Sequence, residues 1–445
     1  MLKRFRKNKP DQQVLKKRQH GINKAEISQA ACEIVKHLSE NGYEAYVVGG
    51  CLRDAIMGLH PKDFDVATSA TPEQVVKLFP RSRIIGRRFK IVHVRRGREL
   101  IEVTTFRGHH ESGGGKHAQQ AKSGLLVRDN VYGDLEADAL RRDFTCNSLY
   151  YDPQKELLID RCNGVADMRN GILRTIGDPW DRFCEDPVRM IRAVRFEAKL
   201  GLALDEASQE ALEQNRHMMQ EVAPARLFDE MIKVLMQAHA LDAFNMLYDT
   251  GLFEQLFPGP FDALENGPDY LFEMMQLAMR NTETRIAEDK GVAPFFLYSV
   301  LLWPAVKIHY DEFIERGIAP ADAMRQAGDI ALQRQVQRIT IPRRFSTSMQ
   351  DVWFLQTALE RITPKRAART AEHPRFRAGY DFLLLREEGG EQLNDLGQWW
   401  TDYQKANPQQ KSQMVNQKSG GNSDGKRRRR RRPRGKGGNQ GNSSE

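Results

Sequence analysis

Residues 46–70 read YVVGGCLRDAIMGLHPKDFDVATSA. An apolar run ends on the glycine pair Gly49 and Gly50, the pair Arg53 and Asp54 follows, and two aspartates, Asp63 and Asp65, alternate with Phe64 and Val66. This order reads as strand, tight turn, helix, strand. Side chains at i and i+2 of a strand share one face, about 6.5–7 Å apart, so Asp63 and Asp65 are expected to converge while Phe64 and Val66 pack behind them. Two carboxylates that close raise each other's pKa unless a cation lies between them. Hard, oxygen-seeking Mg²⁺ is the usual cation, with Mn²⁺ the alternative. The glycines let backbone N–H groups approach an anion where the next helix begins, and Arg53 can add a guanidinium to a triphosphate.

Further along the chain, residues 25–42 have helical spacing and a glycine stop, and Thr71-Pro72-Glu73-Gln74 is a capping-box start for a helix reaching Phe79. RRFKIVHV (87–94) and RELIEVTTFR (98–107) surround the turn RRGRE (95–99), so a hairpin is expected. In the second of these strands Glu102 is the one acid on its face, between Ile101 and Val103. Together Asp63, Asp65 and Glu102 would suit two metal ions about 3.5–4 Å apart serving an in-line phosphoryl displacement. A Gly/His/Gln-rich loop is expected over about residues 108–124, its His109, His110 and His117 solvated rather than ligating. A helix is expected over about 136–147, and almost only helical patterns follow residue 179. Residues 291–306, GVAPFFLYSVLLWPAV, are too interrupted by proline for a membrane span and read as a buried helix.

With 445 residues, 40% hydrophobic and 29% charged, the chain has room for two to four domains with real cores. The N-terminus is basic without an apolar stretch behind it, which argues against a secretory signal. Five cysteines, Cys32, Cys51, Cys146, Cys162 and Cys184, show no CxxC spacing, which argues against disulfides and zinc and fits a reducing cytoplasm. The formal charge of +9 is unevenly placed: residues 405–445 hold 12 Lys/Arg against two acids and residues 1–24 nine against one, so the middle is net acidic. The segment KRRRRRRPRGKGG (426–438), between Gly/Asn/Ser-rich flanks, is expected to be disordered. Its arginines, Arg427, Arg428, Arg429, Arg430, Arg431, Arg432 and Arg434, suit a polyanion such as RNA, because each phosphate neutralised releases counterions. Trp399 and Trp400 are expected to cap the helical body.

Four motifs in order carry a resemblance: GGCLRD (49–54), DFD (63–65), RRDFTCN (141–147) and EDPVRMIRAVRF (185–196). They resemble the nucleotidyltransferase superfamily, in its branch containing tRNA CCA-adding enzymes and bacterial poly(A) polymerases; Leu52 stands where that branch usually has Val. The resemblance covers roughly residues 25–270 and continues more weakly to about 390. It implies Asp63, Asp65 and Glu102 as metal-holding catalytic carboxylates and places Asp143 at the active site. Gly49, Gly50, Arg53, Asp54 and Arg142 would bind the nucleotide. Glu185, Asp186 and Arg189 would read the base edge, and Arg192 and Arg195 would reach the phosphates. Spacing supports part of this, since on one helix Glu185, Arg189 and Arg192 share a side.

Within the branch, residues 84–94 (IIGRRFKIVHV), residues 372–386 (EHPRFRAGYDFLLLR) and the arginine tail look like the poly(A)-adding side. The expected fold is α+β: a nucleotidyltransferase head with a small mixed sheet (25–175) behind a basic extension (1–24). An all-helical neck (176–265) and C-terminal region (266–400) follow, with a disordered tail from 401. The expected activity is template-independent transfer of AMP from ATP to single-stranded RNA 3′ ends with two Mg²⁺ ions, by a cytoplasmic monomer linked to RNA-degradation machinery. CCA addition and a catalytically silent RNA-binding adaptor are the alternatives.

Overall fold

The computed structural model describes residues 13–86, 90–108, 118–120, 126–129 and 131–420. His109, His110, His117 and the arginine run 427–434 lie outside them.

Ten strands in chain order organise the head: β1 (Gln13–Lys16), β2 (Ala45–Val48), β3 (Asp65–Thr68), β4 (Ser82–Ile85), β5 (Ile91–Arg96), β6 (Glu99–Thr105), β7 (Ala118–Gln120), β8 (Leu126–Asp129), β9 (Leu149–Asp152) and β10 (Leu157–Asp160). Eight form one sheet in the order β1-β10-β9-β2-β3-β6-β5-β4. Every neighbour pair is antiparallel except β3 with β6. A parallel pair needs a crossover, which the chain makes through helix Pro72–Leu78 and strands β4 and β5. That helix starts with the expected capping box: Thr71 accepts from the Gln74 N–H, and the Gln74 side chain accepts from the Thr71 N–H. The expected hairpin is also present. Arg96 pairs with Glu99 across a two-residue turn whose Gly97 has φ +59°.

Alternation along the strands loads both faces of the sheet. On one, Val47, Val66, Val92, Val94, Ile101 and Val103 join Ala31, Ile34, Val35 and Leu38 of helix Gln29–Glu40 in the main core. On the other, Val48, Ala67 and Phe106 pack with Tyr150 and with Leu135 and Ala139 of helix Leu135–Arg141. Asp65 is two residues before Ala67, so it lies on this second face, beside the end of that helix.

Several sequence expectations need correction. The segment expected as a basic extension supplies edge strand β1 over Gln13–Lys16, with Leu15 buried and Val14 paired to Ile159. The helix expected over 136–147 stops at Arg141, because Phe144 bridges to Thr175 and the buried run Leu149, Tyr150, Tyr151 continues as β9. Within the expected loop at 108–124, residues 118–120 form β7, which pairs with β8 just beyond it. Disorder does not begin at 401: helices Leu396–Lys405 and Pro408–Gly420 continue the body. Trp400 is fully buried, its indole Nε1 donating to the Leu359 carbonyl at 3.0 Å, and Tyr403 and Val415 are buried with it.

Beyond the head the described chain is helical apart from a two-residue parallel pair, Ile172–Leu173 with Ala203–Leu204. The helix Pro294–Glu315 is buried from Leu297 to Val306, as expected for residues 291–306. Among the described residues no helix is long and apolar enough to cross a membrane. The five cysteines are free, and Cys51, Cys146 and Cys162 are buried.

If the last two helices belong to the folded body, Trp400→Ala removes a large buried side chain and should cost about 3–5 kcal/mol in urea unfolding. A loss below about 1 kcal/mol would show that this segment is not packed as described.

Candidate active site

β2 ends at Val48, and Gly49 turns the chain out of the sheet with φ +80° and ψ −139°, a backbone that glycine adopts without strain. Helix Gly50–Ile56 begins at once. A Cβ on Gly49 would lie 3.4 Å from Arg142 Nη1 and one on Gly50 3.3 Å from Arg53 Nη2, so two guanidinium groups close this corner.

Asp65 opens β3 and pairs in register with Glu102 on β6. Asp63 precedes the strand and is exposed, so the two aspartates do not alternate within one strand as expected. Burial pushes the Asp65 carboxyl up to about 6; Glu102 and then Asp63 add to the rise, while Arg142 works against it. Among the described residues no three His, Cys, Asp or Glu side chains form a ready-made metal cage. Mg²⁺ bound by one or two carboxylates and substrate phosphates needs none, and a buried carboxylate raised by two acidic neighbours is a donor set that suits such an ion.

The helix Leu135–Arg141 delivers Arg142 to the glycine corner. Its Nε donates to Tyr150 Oη at 2.9 Å and its Nη2 to Asp138 Oδ2 at 3.2 Å; Tyr150 Oη donates to the same Asp138 oxygen at 2.6 Å. Asp143 follows, its Oδ1 accepting from the Phe144 N–H and Asn147 Nδ2, both at 2.9 Å, and its Oδ2 from Arg192 Nε at 2.8 Å. Burial alone would raise this carboxyl, yet Arg192 and those donors hold it far below the usual carboxylate range.

The expected single helix through residues 185–196 is broken. Helix Pro179–Glu185 ends before Asp186, and Pro187 caps a second helix, Val188–Leu200. Proline disfavours helical backbone in the residue before it, and Asp186 is extended at φ −149° and ψ 90°. Glu185 and Arg189 still meet, at 2.7 Å, with Arg182 on the same carboxylate oxygen. Arg182 also donates to the carbonyls of Arg141 and Arg142, tying this neck helix to the loop that carries Asp143. Asp186 is held by both ends of the Arg226 guanidinium, at 2.6 and 2.7 Å.

Arg53 is 4% exposed and spends its donors inside the protein. It binds Asp54 Oδ1 through Nε and Nη2 and Asn147 Oδ1 through Nη1, and its guanidinium lies 4.8 Å from the centre of the Phe196 ring. Asp54 in turn accepts from Lys199 Nζ at 2.9 Å, linking head to neck. Arg195 reaches Glu230 at 3.6 Å, and burial, then the nearby Arg192 charge, brings its pKa down to about 10.

The structure thus gathers Gly49, Gly50, Arg53, Asp63, Asp65, Arg142, Asp143, Asp186, Arg189, Arg192 and Arg195 around one cleft of about 870 Å³. Glu102 stands beside it as the register partner of Asp65, whereas Asp54 and Glu185 act through their ion pairs. The sequence reading missed Phe196, Lys199, Arg226, Glu230 and Lys233, which also line the cleft. Arg226, Glu230 and Lys233 sit at i, i+4 and i+7 of helix Pro224–Leu235, a spacing visible in sequence that does not reveal what the stripe faces. Eight Lys/Arg against five acids line the cleft, so it attracts an anion.

Three family models match the chain. One described as the poly A polymerase head domain matches residues 45–174, one described as a probable RNA and SrmB-binding site of polymerase A matches 201–264, and one for the polymerase A arginine-rich C-terminus matches 316–436. Poly(A) polymerase I of Haemophilus influenzae is 41% identical over 411 residues, 91% of each chain. A CCA-adding enzyme of Lactobacillus helveticus is 37% identical over 244 residues, 54% of this chain and 59% of its own. The crystal structure of the Bacillus stearothermophilus CCA-adding enzyme in complex with CTP superposes with a TM-score of 0.54 at 25% identity, covering 88% of this chain and 82% of that one. Likeness to the poly(A) polymerase runs nearly end to end, and on that ground the chain belongs to the bacterial poly(A) polymerase family.

Proposed function

We propose that this chain transfers AMP from ATP to RNA 3′ ends and releases pyrophosphate. The observation that carries the reading is the cleft in which Asp63 and Asp65 face eight cationic side chains beside the Gly49–Gly50 corner. Asp63, Asp65 and Glu102 would hold Mg²⁺, or Mn²⁺ in its place, which when bound activates the attacking hydroxyl and neutralises the leaving pyrophosphate. Arg142, Arg192 and Arg195, with Lys199 beside them, offer positive charge to the triphosphate in positions set before it arrives. Asp143 acts through Arg192, because both its oxygens are already engaged. Asp186 presents its carboxylate to the base edge in the cleft, and Glu185 acts behind it through Arg189, which also lines the cleft. RNA follows the 3′ end into the cleft with its phosphates beside the cationic side chains that line it, and the arginine tail adds grip without sequence preference. A link to RNA degradation follows from the product, a single-stranded tail that gives exonucleases a start.

Incubation with each of the four NTPs and an unstructured RNA should give long products with ATP alone; preferential C incorporation, or a stop after three nucleotides, would favour CCA addition. Asp63→Ala with Asp65→Ala should abolish nearly all incorporation and leave RNA binding intact, whereas a silent adaptor would have no activity to lose.

Asp143→Asn leaves the partly buried Arg192 without its hydrogen-bonded carboxylate and should cost about 1.5–3 kcal/mol at pH 7. Because the Asp143 pKa is depressed by folding, the wild-type advantage is present above about pH 4 and shrinks as pH falls further. Urea unfolding of both proteins across that range checks the sign; an advantage that grows in acid would contradict it.

Truncation after Gly420, which spares the packed helix Pro408–Gly420, should weaken RNA binding and flatten its salt dependence without stopping catalysis. An unchanged slope of affinity against salt would remove the tail from RNA binding.

A further inference from the structure

We propose that His93 is a positioning residue that holds the Glu102 carboxylate in its metal-facing orientation. The inference rests on the reading of Glu102 given above. His93 lies in the stretch 84–94, where it is the one polar residue between Ile91 and Val94. It is the register partner of Glu102 across β5 and β6, and Glu102 is the register partner of Asp65 across β6 and β3. Three side chains at paired positions on adjacent strands share a face, so His93, Glu102 and Asp65 form a row.

Contact is direct: His93 Nε2 lies 3.2 Å from Glu102 Oε1. An ionised carboxylate only accepts, so Nε2 carries the proton and donates it to Oε1, leaving Oε2 outside that bond. Glu102 needs such a hold. Its side chain is 47% exposed and has three rotatable bonds, and it extends toward a carboxylate that repels it. The imidazole is stiffer, with two rotatable bonds, and its side chain is only 18% exposed.

The other ring nitrogen supplies a second observation. Nδ1 is buried and has no hydrogen-bond partner among the described residues. A buried unpaired acceptor destabilises the fold, and a leucine in this β5 position would avoid it. A polar ring kept at such a cost, in line with two acids of the cleft, fits a task in the site rather than in packing.

The test uses full-length His93→Leu, His93→Gln and Glu102→Gln. Two quantities are read: Mn²⁺ affinity, from the paramagnetic resonance signal of free Mn²⁺ with a non-reactive ATP analogue present, and urea stability without metal. His93→Leu should weaken Mn²⁺ binding by about tenfold, the range found for residues that orient metal ligands, while stability stays equal or rises. His93→Gln, whose amide can donate to Oε1, should recover most of the affinity. Wild-type Mn²⁺ affinity in His93→Leu would overturn the proposal, as would parallel losses of affinity and stability that His93→Gln does not repair. If Glu102→Gln weakens Mn²⁺ and His93→Leu does not, the role of His93 alone falls; if Glu102→Gln binds Mn²⁺ normally, Glu102 is not a metal holder and the wider reading of the site fails first.

Discussion

The parallel pairing of β3 with β6 is the constraint on which the site depends. It sets Asp65 opposite Glu102 in a four-pair register that ends at Thr68 and Thr105. Val66 and Val103, next in that register, are 0% and 1% exposed on the opposite face. A slip of one residue would bury Glu102 and expose Val103, so the hydrophobic core enforces an alignment that the two charges resist. Burial does most to push the Asp65 carboxyl up to about 6, and the repulsion built into this register adds to it through Glu102 and then Asp63. Compensation has to come from outside the sheet. Arg142 supplies part of it from the end of its helix, and in the proposed function a divalent ion would supply the rest.

Cations reach the cleft from four stretches of chain, at Arg53, at Arg142, and over residues 189–199 and 226–233, and most are tied down by an acid before any ligand arrives. Arg192 is held by Asp143, Arg226 by Asp186, and Lys199 by Asp54. Two of these ties, Lys199 to Asp54 and Arg192 to Asp143, have one end in the head or its loop and the other in the neck, and the bonds from Arg182 to the Arg141 and Arg142 carbonyls make a third link. The same pairs that orient the cleft thus fix the neck helices against the sheet. Partly buried pairs of this kind add little net stability, but breaking one strands its partner, so the geometry resists piecemeal change.

Much of this was legible in the chain because the relevant signals are local. Gly49 and Gly50, the capping box at Thr71, the turn at Gly97 and the acid Glu102 between two buried residues each declare a backbone state or a face within a few positions. What was not legible depends on distant partners. β1 is a short strand whose identity comes from pairing with β10, 140 or more residues away, and Trp400 reads as a cap on the helical body until Leu359 is seen to receive its indole N–H. Asp63 and Asp65 looked like a strand pair because the i, i+2 pattern is right; the strand starts only at Asp65, where β2 and β6 begin to flank it. Arg53 looked like a phosphate ligand because it follows the glycines, yet Asp54, Asn147 and Phe196 take up its guanidinium.

The break at Pro187 bears on how such a cleft can discriminate between nucleotides. In one continuous helix Glu185 and Asp186 would be neighbours on a single rod, free to swing together. Instead Glu185 closes one helix and Asp186 occupies the extended link to the next, and each is gripped by arginines from separate turns or helices. A carboxylate held by two donors cannot rotate to suit a different base without giving up both bonds. In the proposed function the base must therefore fit the oxygens as they stand, and a base offering the wrong edge leaves a desolvated polar group unpaired, which is the stronger form of rejection.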